Sequence, residues 1–344
     1  MSVSQILEAA KIKEFIAIPK NVVITTHHKP DADALGSSLA LYHFLKKLNH
    51  EVTIISPSDY PKFLFWMPGE KNVVTFDAAN PKPCEEILSK ADVVFCLDFN
   101  SLSRVNELES LLRANTAPKV IVDHHLQPEE FAQMWYWRNT AAATCELIYE
   151  LIIEMQYGHL LDVEIGECLY AGIMTDTGSF RFPSTTSGVH RIIADLIDLG
   201  VDNAKVHQAV YDSNSENRLK FIGYSLYHCL HILPQYKTAY FVVPSDVLEK
   251  FSSQTGDTEG LVNYALSLDN VIFAAIIVER PDMVKMSFRS KGTFSARDFA
   301  SEHFDGGGHK NAAGGKSVLG IKGTEEKFVK LLETYKNTLN NSNE

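Results

Sequence analysis

The chain has 344 residues, enough for two domains at roughly 100–200 residues each. A hydrophobic content of 45 % supplies buried cores and excludes an intrinsically disordered chain. With 32 Lys and Arg against 43 Asp and Glu, the net charge of −11 argues against a long nucleic acid held by counterion release; a local basic pocket stays compatible.

Taken in chain order, residues 1–16 mix charges with helically spaced Ile6, Leu7, Ile12 and Phe15, unlike a signal peptide. From 21 to about 200, β-rich apolar runs alternate with helical patterns, which predicts a parallel sheet covered by helices. The predicted strands are 22–26, 52–56, 93–97 and 120–122. The first crossover helix is read over 35–48, and further helices over 145–155, 165–174 and 189–199. A mostly helical stretch, 203–232, reads as the connection between domains. Beyond it the pattern changes: strands are predicted at 238–243, 271–279 and 284–289, and helices at 260–268, 296–302 and 324–339. The polar tail 337–344 is expected to fray. The longest apolar run, 271–278, has eight residues against the ~20 a membrane helix needs. Five scattered cysteines with no C-x-x-C pair fit neither a disulfide framework nor a structural zinc site. A soluble cytoplasmic protein is expected, built from two α/β domains with the active site in the cleft between them. The boundaries are 1–202 for a catalytic metal-binding domain, 203–235 for a helical linker, and 236–344 for a smaller substrate-binding domain.

Acidic residues recur at one edge of the predicted sheet. The first strand runs into ITTHHKPDADALGSS, which puts His27, Asp31 and Asp33 in a tight loop at its carboxyl end, where open α/β sheets bind ligands. An Asp ahead of a helix is also an ordinary N-cap, so this loop decides nothing by itself. The strand 93–97 ends at Asp98, the strand 120–122 ends at Asp123, His124 and His125, and the helix 165–174 runs into Asp176. One such residue is a solvated strand end; four, with histidines, call for a common purpose. Carboxylates with neutral imidazoles are ligands for Mn²⁺, Mg²⁺, Fe²⁺ or Zn²⁺. Asp31, Asp33, Asp98 and Asp176 balance two divalent cations in charge. Such a pair activates water and clamps a phosphoryl group, so the pattern predicts phosphoester hydrolysis.

These motifs resemble those of the DHH phosphoesterase superfamily: H-x-x-P-D-x-D at 27–33, the lone Asp98, D-H-H at 123–125, Asp176, and a C-terminal GGGHKNAAGG like that of the DHH-associated domain. Within it the chain is most similar to the branch of nanoRNases and pAp phosphatases, related to RecJ-like exonucleases and exopolyphosphatase-related proteins. The resemblance implies an N-terminal parallel-sheet DHH domain flanked by helices and a smaller α/β substrate domain. It implies that His27, Asp31 and Asp98 hold one metal, and Asp33, Asp98, His124 and Asp176 a second, with Asp98 bridging. His125 is then expected to contact the scissile phosphate or protonate the leaving oxygen, with Asp123 orienting it. Manganese is the family's usual metal, with Mg²⁺ or another divalent ion as alternatives.

In the second half, the glycine run 306–308 followed by His309 reads either as an anion cradle or as a flexible turn before an edge strand. Arg289, at the end of a predicted strand, strengthens the anion reading. Arg289, Gly307, Gly308, His309 and Asn311 are the expected substrate contacts, with Arg104 as a further one near the metals. The acidic balance favours ligands with few phosphates: very short RNA, dinucleotides such as pApA and pGpG, and nucleotide bisphosphates such as pAp. No long nucleic acid and no membrane partner are expected, and a homodimer is left open. The rival readings are an exopolyphosphatase or pyrophosphatase, an enzyme acting on cyclic dinucleotides, and a nucleotide-sensing module without turnover. The last is expected to show a broken ligand set, and this set is intact.

Overall fold

The structure, a computed structural model, describes residues 3–342. The predicted domain ends at 1 and 344 and the last two tail residues lie outside the described residues. The chain forms two compact units that divide between Ser213 and Asn214.

The first unit runs α1 (Val3–Phe15), β1 (Asn21–Thr26), α2 (Ala32–Lys47), β2 (Glu51–Ser56), β3 (Val73–Thr75), α3 (Lys82–Ser89), β4 (Val93–Leu97), α4 (Glu109–Ala114), β5 (Lys119–Asp123) and β6 (Met134–Trp137). Helices α5 (Thr144–Glu154), α6 (Val163–Asp176), α7 (Ser187–Asp198) and α8 (Asn203–Tyr211) complete it. The six strands form one parallel sheet in the order β3-β2-β1-β4-β5-β6. Strands β1, β4 and β5 are almost wholly buried, as expected of a sheet covered on both faces. One face packs under α2, α5, α6 and α7; the other packs under α3, α4 and the 102–108 segment. All four predicted strands are present. The two edge strands escaped because β3 has only three residues and β6, MWYW, is aromatic rather than β-branched. Ala9 and Ile12 of α1 and Ile16 just after it pack inward, whereas Ile6 and Leu7 face outward.

Chain order places the topological switch between β1 and β4, because the strands after β1 step one way and those after β4 the other. Thr26 pairs with Leu97 and Leu97 with Val122, so the three strands end level. Whatever follows Thr26, Leu97 and Val122 therefore converges at one edge.

The second unit runs α9 (Glu216–His228), β7 (Leu230–Leu233), β8 (Thr238–Val243), α10 (Ser245–Lys250), α11 (Leu261–Leu266), β9 (Phe273–Glu279), β10 (Val284–Ser290), α12 (Ala296–His303), β11 (Gly307–His309), β12 (Ala312–Ser317) and α13 (Gly320–Asn341). Its sheet, β11-β12-β10-β9-β8-β7, is antiparallel except for the β8–β9 pair. A phenylalanine core (Phe273, Phe288, Phe299, Phe304, Phe328) fills one face under α12 and α13. The opposite face is packed over β8 and β9 by α9, α10 and α11.

Two expectations differ from what is observed. The stretch 203–235, expected as a linker, is shared between the units: Val206 and Val210 of α8 join the first core, and Phe221 of α9 joins another. Its helical run is interrupted by strand β7 at 230–233. The tail is helical through Asn341, because Leu339 is fully buried and the Asn340 carbonyl accepts from Lys237 Nζ. Among the described residues no helix is long and apolar enough to cross a membrane.

Helix α2 lies so close to α6 that a Cβ on Gly36 would sit 2.5 Å from the Cys168 carbonyl oxygen. Gly36→Ala is therefore expected to destabilise the protein by about 1–3 kcal/mol, as overpacking does. Gly223→Ala, where an added Cβ meets open space on α9, should instead stabilise by about 0.4–1 kcal/mol. Urea unfolding of both variants checks the contrast, and a neutral Gly36→Ala would contradict it.

Candidate metal centre

The level strand ends collect the sequence-predicted residues into three groups whose ligand atoms could each surround an ion. These are His27, Asp31 and Asp98; Asp33, His124 and Asp176; and Asp98, Asp123 and His125. Asp98 joins the first group to the second. Its Oδ2 lies 3.4 Å from His27 Nε2, and its Oδ1 lies 3.4 Å from His124 Nε2. His124 Nε2 is also 3.5 Å from Asp176 Oδ2 and 3.9 Å from Asp33 Oδ2. Asp31 Oδ2 is 4.0 Å from His27 Nε2.

Backbone carbonyls set the tautomers of both histidines. His27 Nδ1–H donates to the His28 carbonyl (3.0 Å), and His124 Nδ1–H donates to the Ala141 carbonyl (3.1 Å). With the proton fixed on Nδ1, a neutral ring turns the Nε2 lone pair toward the carboxylates. His125 is held differently, its Nδ1 bonding Asp123 Oδ1 at 2.8 Å.

The carboxylates are positioned just as firmly. Asp31 is indeed an N-cap: its Oδ1 accepts from the Asp33 and Ala34 amides (3.0 and 3.1 Å). Its other oxygen is the one facing His27, so capping and ligation are compatible. Asp33, fully buried, accepts from Thr144 N–H (2.6 Å) and Cys145 N–H (2.8 Å), which anchors it on the first turn of α5. Asp98 has φ of +62°, a conformation that non-glycine residues rarely adopt. The Thr144 hydroxyl donating to its Oδ1 (2.9 Å) and its amide donating to the Val122 carbonyl (3.1 Å) hold it there. Strain of this kind persists where surrounding structure over-determines it.

The electrostatics favour cations. Burial, then the charge of Asp98, pushes the Asp33 carboxyl up to about 7. Burial followed by Asp33 and Asp31 raises Asp176 well above the ordinary carboxylate range. Burial alone would raise Asp98 too, but hydrogen bonds from His124 and His27 hold it well below. Burial opposes charge on His27 and His124, yet the bond to Asp98 raises both. Four carboxylates and two imidazoles, with thiols absent from the groups, suit divalent ions that prefer oxygen and nitrogen donors. Protons on these groups stand where metal charge would.

The other predicted contacts fall in two places. In the first unit the Arg104 carbonyl accepts the His28 amide (2.7 Å), and the Arg104 charge acts against protonation of His27, which puts this cation beside the centre. In the second unit, strand register sets Arg289 opposite Ala312 and Ala312 opposite His309, so Arg289 and His309 share one face with only an alanine between. Gly307, Gly314 and Ser287 form the next row of that face. The glycine segment is a hairpin, β11 with β12, not a loose turn. Gly308 needs its φ of +137°, and a Cβ on Gly306 would sit 2.1 Å from the Gly314 carbonyl oxygen. Gly307 has no such need, since an added Cβ meets open space. The Asn311 amide donates to Ser290 Oγ (2.9 Å) and the Phe294 carbonyl (3.3 Å), so it braces the 290–294 loop.

The sequence reading missed the role of the stretch from the end of β6 to the first turn of α5. Ala141, Thr144 and Cys145 supply hydrogen bonds to His124, Asp98 and Asp33, and sequence alone marks none of them. A trace was available in α5, where Glu146, Glu150 and Glu154 recur every four residues along an otherwise apolar helix.

A doubly wound sheet with carboxylates and imidazoles gathered at its switch point defines a metal-dependent hydrolase. Residues 21–173 match the DHH family, N-terminal domain, and residues 236–341 match the DHHA1 domain. The chain belongs to the DHH family of phosphoesterases, which are metal-dependent. It is 29 % identical over 330 residues to the bifunctional oligoribonuclease and PAP phosphatase NrnA of Thermus thermophilus, covering 94 % of this chain and 91 % of that one. It is 26 % identical over 304 residues to the protein of the same name from Bacillus subtilis, covering 87 % and 90 %. Among solved structures, an exopolyphosphatase-related protein from Bacteroides fragilis superposes with a TM-score of 0.92 at 36 % identity, covering 97 % of this chain and 98 % of that one.

The protonation pattern makes metal binding pH-dependent with a definite sign. The metal-free fold holds protons on Asp33, Asp176, His27 and His124 that the unfolded chain releases at lower pH. Asp33 therefore makes stability fall as pH rises from about 4 through about 7, and the two histidines extend the fall to pH above their ordinary value of 6.5. The Asp98 contribution has the opposite sign and is complete above the ordinary carboxylate range, so it is constant over the upper part of that window. Metal replaces the lost protons, so the rise in Tm produced by added Mn²⁺ should grow steadily from pH 5.5 to pH 8, each point measured against a chelator control. A rise that shrinks with pH would contradict the ligand assignment.

Proposed function

We propose that the protein hydrolyses short oligoribonucleotides, including dinucleotides, and nucleotide bisphosphates of the pAp kind, using two divalent ions, with Mn²⁺ as the working metal. The observation that carries this reading is Asp98, whose two oxygens each face a different histidine at 3.4 Å. His27, Asp31 and Asp98 would hold one ion; Asp33, Asp98, His124 and Asp176 the other. Two such ions supply Lewis acidity and lower the pKa of water for in-line attack on phosphorus. The chain's own residues supply the remainder. Asp123 keeps the His125 ring in one orientation through Nδ1, which leaves Nε2 for the phosphate or the leaving oxygen. Arg104 adds positive charge for a phosphate near the metals. In the second unit, Arg289 and His309 supply an anion contact across a floor of alanine and glycine, with Gly307 and Gly308 giving a ligand close access to backbone.

The names of the Thermus and Bacillus relatives support the substrate class, and the acidic balance supports short ligands. Each charge-assisted contact contributes about 1.5–3 kcal/mol, so a few phosphates suffice where no extended basic track exists. Five buried, unpaired thiols suit a cytoplasmic setting. A second reading, polyphosphate or pyrophosphate hydrolysis, draws on the name of the Bacteroides relative.

One hydrolysis panel separates these readings. Chelator-stripped and Mn²⁺-loaded protein is assayed on a dinucleotide, pAp, a strand of about twenty nucleotides, inorganic pyrophosphate and polyphosphate. Turnover should require metal, favour the dinucleotide and pAp over the long strand, and be weak on the inorganic substrates. Arg289→Ala should raise KM for the dinucleotide about 10- to 150-fold, the equivalent of one charge-assisted contact, without changing metal content. Preference for polyphosphate would establish the second reading instead.

The residue roles separate in two variants. Asp98→Ala is expected to abolish turnover and lose metal while keeping its circular dichroism spectrum. His125→Ala should keep its metal and lose about 10²- to 10⁴-fold in kcat, as loss of a proton-transfer group does. Metal analysis of the purified variants decides, and the reverse pattern would overturn the assignments.

A further inference from the structure

The whole Asp123–His125 run is tied to the stretch that follows β6. Trp137 Nε1–H donates to the His125 carbonyl (2.7 Å), and Arg138 N–H to the Asp123 carbonyl (3.3 Å). The Ala141 carbonyl accepts from His124 Nδ1 (3.1 Å). Three residues later, Thr144 and Cys145 hold Asp33 and Asp98. Five candidate site residues thus take their positions from the segment 137–145.

Most of that segment, 138–143, is neither helix nor strand, so no backbone ladder fixes it. Side-chain charge does. The Arg138 guanidinium donates from Nη2 to Glu146 Oε1 (2.7 Å) and Glu150 Oε1 (3.0 Å), and from Nη1 to Glu150 Oε2 (2.7 Å). The second oxygen of Glu146 accepts the Ala142 amide (2.6 Å). Glu146 and Glu150 stand one turn apart on α5, the helix whose first turn carries the Thr144 and Cys145 amides. The clamp therefore joins the loop to that turn. Side-chain exposures of 20 %, 7 % and 12 % for Arg138, Glu146 and Glu150 keep water and salt from screening it. None of the three belongs to a group that could hold an ion.

We propose that Arg138, Glu146 and Glu150 are positioning residues for the metal centre, setting metal affinity through the Ala141 carbonyl, the Thr144 hydroxyl and the amides of Thr144 and Cys145. The proposal rests on the metal-centre reading above. Groups that orient metal ligands are worth about 10- to 100-fold in affinity or activity, and the clamp acts on three ligands together.

The test titrates Mn²⁺ alone into chelator-stripped wild type, Arg138→Gln, Glu150→Gln and a control, Glu167→Gln, by calorimetry, with circular dichroism as the check on folding. Glu167 is a comparably buried partner of Lys205 and makes no hydrogen bond to the segment, so its variant should bind as wild type does. Arg138→Gln should bind Mn²⁺ about tenfold or more weakly, with kcat lowered, dinucleotide KM unchanged, and part of the rate restored by excess Mn²⁺. A folded Arg138→Gln that binds Mn²⁺ as tightly as wild type overturns the proposal. Should Arg138→Gln not fold, Glu150→Gln carries the same criterion, because it keeps the Arg138–Glu146 contact. Wild type that binds no Mn²⁺ defeats the metal-centre reading as a whole, a result distinct from equal binding by both proteins.

Discussion

The mutual repulsion of four carboxylates around one strand edge is the constraint on which the rest of the first unit depends. Two like charges 4 Å apart repel by about 4 kcal/mol at an effective dielectric of 20. Asp33 and Asp98 are buried besides, where an ionised carboxylate loses its hydration. A fold could relieve this by letting the side chains swing apart. For three of the four the escape is closed: Asp31 is bound as a helix cap, Asp33 by two amides of α5, and Asp98 by a hydroxyl and its own backbone conformation. The repulsion is retained as a standing demand for positive charge, met by protons on His27, His124 and Asp33 or by metal.

That arrangement is inexpensive for a parallel sheet to build and hard to build otherwise. In β1, β4 and β5 the apolar strand residues stabilise the sheet, while the first residues beyond the strands are exempt from that duty. Pairing of Thr26, Leu97 and Val122 brings those exempt positions together without any long-range instruction beyond strand order. The switch between β1 and β4 then leaves a gap between the loops that diverge from it. Close approach of α2 and α6, through Gly36 and Gly172, brings Asp176 in from the helix side; a Cβ on Gly172 would strike Asp33 itself.

What could be read from the sequence follows the same division. Apolar runs ending in Asp or His announce strand ends, so β1, β4 and β5 were legible, and His27, Asp31, Asp33, Asp98, His124 and Asp176, expected as ligands, do lie together. Edge strands carry a weaker signal: β3 has three residues, and β6 buries Met134 and Tyr136 while its two tryptophans are half-buried. The supporting groups were not legible for a more basic reason. Ala141 acts through its carbonyl and Cys145 through its amide, and backbone groups are the same in every residue. Only the glutamates of α5 left a mark, as charges at four-residue intervals on a buried helix. The tail was misread because polarity was weighed and Leu339, fully buried, was not.

In the glycine hairpin of the second unit, local structure dictates some glycines and not others. Gly306 and Gly308 are dictated locally, one by contact with the Gly314 carbonyl and the other by its left-handed φ. Gly307 is not: it is exposed, an added Cβ would meet nothing, and its partner across the ladder is another glycine, Gly314. Glycine at such a position weakens a strand, since it loses the most conformational freedom on folding and packs no side chain. A fold gains nothing from that choice. Under the proposed function a ligand would, because bare backbone on the face shared by Arg289 and His309 would let an anion approach amides that a side chain would screen. Local structure therefore accounts for Gly306 and Gly308, and Gly307 is the one that packing leaves unexplained.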